Sequence, residues 1–384
     1  MSSVGDREGL RVALAALAAL AVSQGIGRFA FTPILPMMQQ DVGLSVPEGG
    51  WLASANYLGY LVGALWAVRL RLSARAAIRA GLAVIGLTTF AMALRDGFLL
   101  WLVLRALAGV ASAWVLVFVS AWSLERLAAL GRMSLSGVVY AGVGAGIVVA
   151  GAACLILMHL HAGSSAAWTS LGLVALAAGA VIWPVFGSGG TAHAPPAERS
   201  GGRVGDFWRM VLCYGAYGFG YIIPATFLPV MAKEVVPDPG LFGWAWPVFG
   251  AAAVASTLIA QRMRRSHRRV WAASHVVMAA GVVVPLVLPG LAGIIAAALC
   301  VGGTFVVITQ AGVQEARAVA GERARALIAA MTSAFAVGQI VGPLAVSALV
   351  RATGGFSAAL IAAAALLVIS AAALLATPAG SPRA

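Results

Sequence analysis

Charge is what this sequence has least of. Only 10% of its 384 residues are Asp, Glu, Lys or Arg, and Lys233 is its one lysine. A soluble domain carries about 25% charged and about 45–50% apolar residues, whereas 61% of this chain is hydrophobic. That balance excludes a soluble globular protein, and a chain so apolar is not a disordered one. Cysteine is scarce as well. Cys154, Cys213 and Cys300 lie far apart in apolar runs, which excludes a disulfide framework or a zinc spacing and leaves small packing residues. No phosphate loop, zinc-protease helix or Ser/His/Asp set is present. An enzyme is not expected, nor a metal or any other cofactor.

Long apolar runs take the place of the missing charge. A bilayer core of about 30 Å needs about 20 apolar residues in helix. Twelve such runs fall at 11–38, 49–68, 76–94, 98–122, 133–157, 166–186, 209–231, 241–260, 270–288, 290–314, 326–349 and 356–376. None alternates strictly, so the expectation is an all-α integral membrane protein of twelve helices. The first run follows Arg7 and Arg11 as a signal peptide would. It continues past Arg28 to Met38, however, and a related segment recurs later, so no cleavage is expected.

The formal charge of +13 would suggest nucleic acid in a soluble chain, but no nucleic-acid motif accompanies it. With the N-terminus placed inside, 20 of the 25 basic residues fall in inside segments. Arg95, Lys233 and Arg351 fall outside, and only Arg28 and Arg105 lie within spans. The charge therefore reads as a record of orientation: a multi-pass protein of the bacterial inner membrane with both termini cytoplasmic. The polar stretch 187–208, rich in Gly, Pro and Ser, reads as a cytoplasmic linker. It divides the chain into six-helix bundles at 1–186 and 209–384.

The two parts echo each other at an offset of 193. Gly25 and Gly27 match Gly218 and Gly220; Leu35, Pro36 and Met38 match Leu228, Pro229 and Met231. Gly50-Trp51 matches Gly243-Trp244, Arg69 and Arg71 match Arg262 and Arg264, and Gly109 matches Gly302. Parallel repeats with a site between them are a transporter architecture.

These features resemble the major facilitator superfamily. Arg105-x-x-x-Gly109-x-x-x-Ala113 is similar to that family's span-4 motif, and Arg69 and Arg71 occupy its basic loop after span 2, although no acidic residue lies between Gly63 and Arg79. Gly338-x-x-x-Gly342-Pro343 in span 11 is similar to its antiporter-associated motif. Within the superfamily, Gly25-Ile-Gly-Arg28-Phe-Ala-Phe-Thr-Pro33 and Trp51-Leu-Ala-Ser-Ala-Asn56-Tyr57-Leu-Gly-Tyr60 resemble the YbfB/YjiJ-type branch. The resemblance implies a secondary transporter working by alternating access, with Arg69, Arg71, Gly109, Ala113, Gly338, Gly342 and Pro343 as gating or motif residues.

An ionisable residue within a span is costly and favours the bundle interior. Arg28 and Arg105 lie at similar depths, with no Asp or Glu in any span core. Arginines without internal carboxylates suit an anionic solute. Gln24 lies one turn before Arg28, and at the repeat offset the two correspond to Tyr217 and Tyr221, with Tyr214 extending that row. Asn56, Tyr140, Gln310 and Gln339 complete the candidate substrate-binding set, each equally open to a packing role. A small organic anion is the expected substrate, with a proton or counter-anion as coupling partner, the bilayer as surroundings, no nucleic acid and a monomeric state. A multispecific drug exporter of the same fold is one alternative. A membrane-embedded sensor or enzyme is another, disfavoured because no polar catalytic cluster or soluble output domain is visible.

Overall fold

The computed structural model describes residues 2–67, 72–94, 97–187, 204–236, 238–260, 266–320 and 324–376, and all regular structure among them is helical. Arg69, Arg71 and most of the 187–208 linker lie outside the described residues. The first apolar run is one helical path from Asp6 to Asp41. It comprises α1 (Ser2–Leu20), a π-helical segment (Ala21–Phe29) and α2 (Phe31–Asp41). There follow α3 (Val46–Ala67), α4 (Ala74–Ala91), α5 (Phe98–Ala129), α6 (Ser136–His159) and α7 (Ser164–Ile182). The later group is α8 (Val204–Val235), the single turn α9 (Pro239–Phe242), α10 (Ala245–Ala260), α11 (His267–Val287), α12 (Leu291–Ala320), α13 (Ala324–Thr353) and α14 (Ser357–Leu375).

Among the described residues, ten helices are long and apolar enough to cross a membrane, which makes this a multi-pass membrane protein. The other two runs, 49–68 and 241–260, form α3 and α10. Glu48, Asn56, Tyr57 and Tyr60 dilute the apolar character of α3, and α10 spans only 16 residues.

Local chemistry sets several helix ends. Ser45-x-x-Glu48 is a capping box at the start of α3: the Glu48 carboxylate accepts from the Ser45 N–H at 2.8 Å and its hydroxyl at 2.7 Å, and Ser45 Oγ accepts from the Glu48 N–H at 3.3 Å. The Ser45 hydroxyl, then its N–H, hold the Glu48 carboxyl below its ordinary value. Ser73 caps α4 through the Ala76 N–H. Asp41 accepts from the N–H and hydroxyl of Ser164, at 2.6 and 2.9 Å, and so ties the end of α2 to the start of α7.

The offset of 193 reappears in the packing. A Cβ on Gly109 of α5 would collide with the Asn56 carbonyl of α3, and one on Gly302 of α12 would collide with the Phe249 carbonyl of α10. Both members of each pair are displaced by 193. Gly25 meets the Gly146 backbone of α6, and its repeat mate Gly218 of α8 meets the backbone of α13 at Phe335, four positions before the mate of Gly146. These contacts need glycine because backbone approaches backbone.

The two groups of helices meet most extensively where α6 packs on α10, α3 on α13 and α2 on α8, with α6 also touching the turn α9. Thr32 donates to the carbonyl of Ala225, its own repeat mate, at 2.7 Å. Ser54 donates to the Ile340 carbonyl at 3.0 Å, Lys233 donates to the Pro36 carbonyl at 3.2 Å, and Gly151 packs on Pro247. These contacts run from the level of Arg28 to the end of the bundle that carries Asp41 and Ser164.

Candidate substrate site

The π-helical segment places the first candidates. Its Gly25 and Gly27 lie against Gly146 and Ser112, where no side chain fits. Beyond it, Pro33 lacks the N–H that an α-helix would offer to the Phe29 carbonyl. Departures from α geometry of this kind are frequent at functional sites. Here eight of its nine residues are buried, Gln24 and Arg28 among them.

Arg28 is 4% exposed. Its Nη1 donates to Gln24 Oε1 at 3.2 Å and its Nη2 to Gln339 Oε1 at 2.9 Å. Gln24 in turn donates to the Ser112 carbonyl at 3.0 Å, and Gln339 donates to the Tyr221 hydroxyl at 2.8 Å. The guanidinium carbon lies 4.0 Å from the Tyr60 ring centre, 5.1 Å from Phe29 and 5.5 Å from Tyr57. Such cation–π contacts contribute about 0.5–2 kcal/mol each. They partly replace the water that Arg28 has lost, but none cancels its charge. Arg28 Nε is buried without a partner among the described residues.

Arg105 is used differently. Its Nη1 donates to the Gly27 carbonyl at 3.3 Å and its Nη2 to the Arg28 carbonyl at 3.1 Å. Asn56 donates to the Gly27 and Arg105 carbonyls at 3.2 and 2.9 Å. Arg105 and Asn56 therefore clamp the backbone that presents Arg28, and the Arg105 guanidinium also covers the Phe31 ring at 4.8 Å.

On the other side stands the tyrosine row of α8. Tyr217 donates to the Phe305 carbonyl at 2.6 Å. This repeats the Gln24–Ser112 contact at an offset of 193 on both partners, with a phenol in place of an amide. Tyr221 lies parallel to Phe305 and to Phe335, each at 5.7 Å between ring centres. Tyr214 and Tyr217 continue the row at 5.4 Å, and Tyr57 and Thr226 share a hydroxyl hydrogen bond at 3.2 Å.

Of the candidates, Gln24, Arg28, Gln339 and Tyr221 thus form one hydrogen-bonded chain, with Arg105, Asn56 and Tyr217 around it. Tyr140 is half-buried on α6 and packs against the hydrophobic core, and Gln310 is half-buried on α12. The hydrogen bonds of this network extend to neither. Ala113 is fully buried in α5. Gly338 and Gly342 seat α13 on α8, against Gly215 and Ile222, and the Pro343 carbonyl accepts from Ser347 Oγ at 2.7 Å.

Tyr57, Tyr60, Phe305 and Phe335 are additions that the structure makes to the candidate set. Three of them carry a signal in the sequence: Tyr60 is one turn beyond Asn56, Phe335 is one turn before Gln339, and Phe305 is the repeat mate of Ser112.

A buried polar chain among many membrane-crossing helices is the arrangement of a membrane transporter. A family model described as "Uncharacterised MFS-type transporter YbfB" matches residues 20–375, and the chain belongs to that family. It is a secondary transporter of small molecules, not an enzyme. Among solved structures it is similar to a point mutant of the nucleoside transporter NupG, at 14% identity over 95% of this chain and 99% of that one, with a TM-score of 0.73. At that identity the likeness concerns the fold. No curated protein matches it in sequence.

Proposed function

We propose that the chain moves a small anionic organic solute across the bacterial inner membrane by a rocker switch. In this reading twelve spans form two six-helix bundles, at 1–186 and 209–384, joined by a cytoplasmic linker. Both termini are cytoplasmic, the protein acts as a monomer, and a proton or counter-anion supplies the coupling. The basic residues clustered in inside segments support that orientation, and the packing contacts repeated at 193 support the two-bundle arrangement.

The observation that carries the anionic substrate is the state of Arg28. It is a buried cation whose hydrogen-bond partners are two neutral amide oxygens. A carboxylate on the same guanidinium would form stronger, charge-assisted bonds. An arriving anion therefore competes with Gln339 for Arg28, and so loosens a bond between the two helix groups as it binds. The Thr32–Ala225, Ser54–Ile340 and Lys233–Pro36 hydrogen bonds lie toward the Asp41 end, which is the outside in this orientation, so the conformation reads as closed outside. The Thr32–Ala225 and Ser54–Ile340 contacts would part when the bundles rock outward.

Counterflow of labelled organic anions in proteoliposomes tests the reading. Exchange that is lost in Arg28→Ala, with the variant still folded by thermal unfolding, is the expected result. Exchange that persists undiminished in Arg28→Ala overturns it.

A further inference from the structure

We infer that the substrate is a monoanion with a ring-sized apolar body, such as an aromatic carboxylate or sulfonate, a class that rests on the anion reading of Arg28 and narrows it. The first argument is charge. Among the described residues, the buried arginines are Arg28 and Arg105, and both Nη groups of Arg105 are engaged by the Gly27 and Arg28 carbonyls. One cation is left to meet substrate. A single negative group neutralises it. A dianion would have to bring its second charge to Arg105, whose Nη groups the Gly27 and Arg28 carbonyls already hold, so that charge would find no free Nη edge to fork onto.

The second argument is the walls. Around the guanidinium and the Gln339–Tyr221 pair stand Tyr60, Phe29, Phe305 and Phe335. Three of the hydroxyls nearby are already engaged. The Tyr221 hydroxyl accepts from Gln339, the Tyr217 hydroxyl donates to the Phe305 carbonyl, and the Tyr57 hydroxyl is paired with Thr226. A solute rich in hydroxyls would exchange water for this apolar surface and leave its polar groups unpaired. A ring loses little water and gains aromatic contact.

The test uses the full chain, purified and reconstituted. Benzoate and benzenesulfonate are compared with acetate, succinate, inorganic phosphate and the neutral benzamide, by ligand-dependent thermal shift. Counterflow uses labelled benzenesulfonate, which stays charged and does not leak through lipid as the free acid. Expected are binding of both ring monoanions at least about tenfold tighter than of acetate, succinate or phosphate, no shift with benzamide, and loss of both signals in Arg28→Gln. Tyr60→Leu and Phe335→Leu, with unfolding temperatures near the parent's, should weaken benzoate several-fold and leave acetate unchanged. Tighter binding of succinate or phosphate overturns the monoanion while leaving the anionic site standing. Acetate equal to benzoate overturns the ring-sized body. Binding of benzamide alone, or of none of the probes, overturns this inference, and persistent exchange in Arg28→Ala remains the separate failure of the anion reading.

Discussion

Arg28 Nη2 donates to Gln339 Oε1 across 2.9 Å, between residues 311 positions apart in the chain. One partner stands on the π-helical segment and the other on α13. The bond joins the two groups of helices at the depth where the chain buries its charge. An amide oxygen satisfies a guanidinium N–H without cancelling its charge. That makes the contact firm enough to close the bundle and weak enough for an anion to replace.

Gln339→Glu should convert this contact into an internal ion pair of nearly the same shape. The expected outcome is a raised unfolding temperature together with a loss of organic-anion affinity of about tenfold or more, because the substrate then competes with a tethered carboxylate. Gln339→Leu should do the opposite to stability. It leaves Arg28 Nη2 and the Tyr221 hydroxyl short of a partner, at about 1–3 kcal/mol. Thermal unfolding with and without benzenesulfonate measures both effects in one experiment.

Arg105→Met should damage the fold rather than substrate chemistry. Removing the guanidinium takes a donor from the Gly27 and Arg28 carbonyls, and Gly27 keeps Asn56 as a donor while Arg28 loses its clamp. Destabilisation of about 1–3 kcal/mol is expected. Arg105→Lys should recover part of it, since one ammonium can reach a carbonyl but cannot fork across two. Anion affinity per folded molecule should fall far less in either variant than in Arg28→Gln. Monodisperse yield and unfolding temperature, set beside affinity, separate the two arginines.

The spacing of Gln24 and Arg28, and the repeat that pairs them with Tyr217 and Tyr221, were legible because they depend on chain order alone. So was the equivalence of Gly109 and Gly302, though not that each is a close crossing. Helix rotation was not legible. In a bilayer, apolar residues face lipid and neighbouring helices alike, so periodicity does not name the inner face. Tyr140 and Gln310 stand out by residue type alone, and helix contacts elsewhere decide where they point. Gly142 and Gly146 fix the rotation of α6 against Leu17 and Ala21. The π geometry was also hidden. Gly25, Gly27 and Pro33 announce an irregular helix, but its register is set by Gly146, Ser112 and Arg105 from other elements.

His275 offers a test of proton coupling. It is fully buried in α11, and Trp271 Nε1 donates to its Nε2 at 2.9 Å. That nitrogen is taken up as an acceptor, and Nδ1 is buried without a partner among the described residues. A proton carried on Nε2 would have to displace the tryptophan N–H. His275→Gln should therefore leave the pH dependence of uptake unchanged between about pH 5 and 8, while His275→Ala should lower the unfolding temperature. A pH profile displaced in His275→Gln would place this residue in the coupling pathway.

Neighbouring glycines on α12 should respond in opposite ways. A Cβ at Gly302 meets the Phe249 backbone, and one at Gly109, its mate in α5, meets the Asn56 backbone. At Gly303 nothing lies within 4 Å of the same atom; the residue faces a groove beside Ile259, Val277 and Thr304. Gly109→Leu and Gly302→Leu must push two helices apart, and both should abolish monodisperse protein. Gly303→Leu places an apolar side chain in open space and replaces a poor helix former with a good one, worth about 0.5–1 kcal/mol. It should match or exceed the parent in yield and unfolding temperature. Size-exclusion profiles of the three variants, expressed side by side, check the shared geometry: equal loss at positions 109 and 302 is the outcome that a repeated crossing requires, and loss at only one of them would break the equivalence of the two crossings.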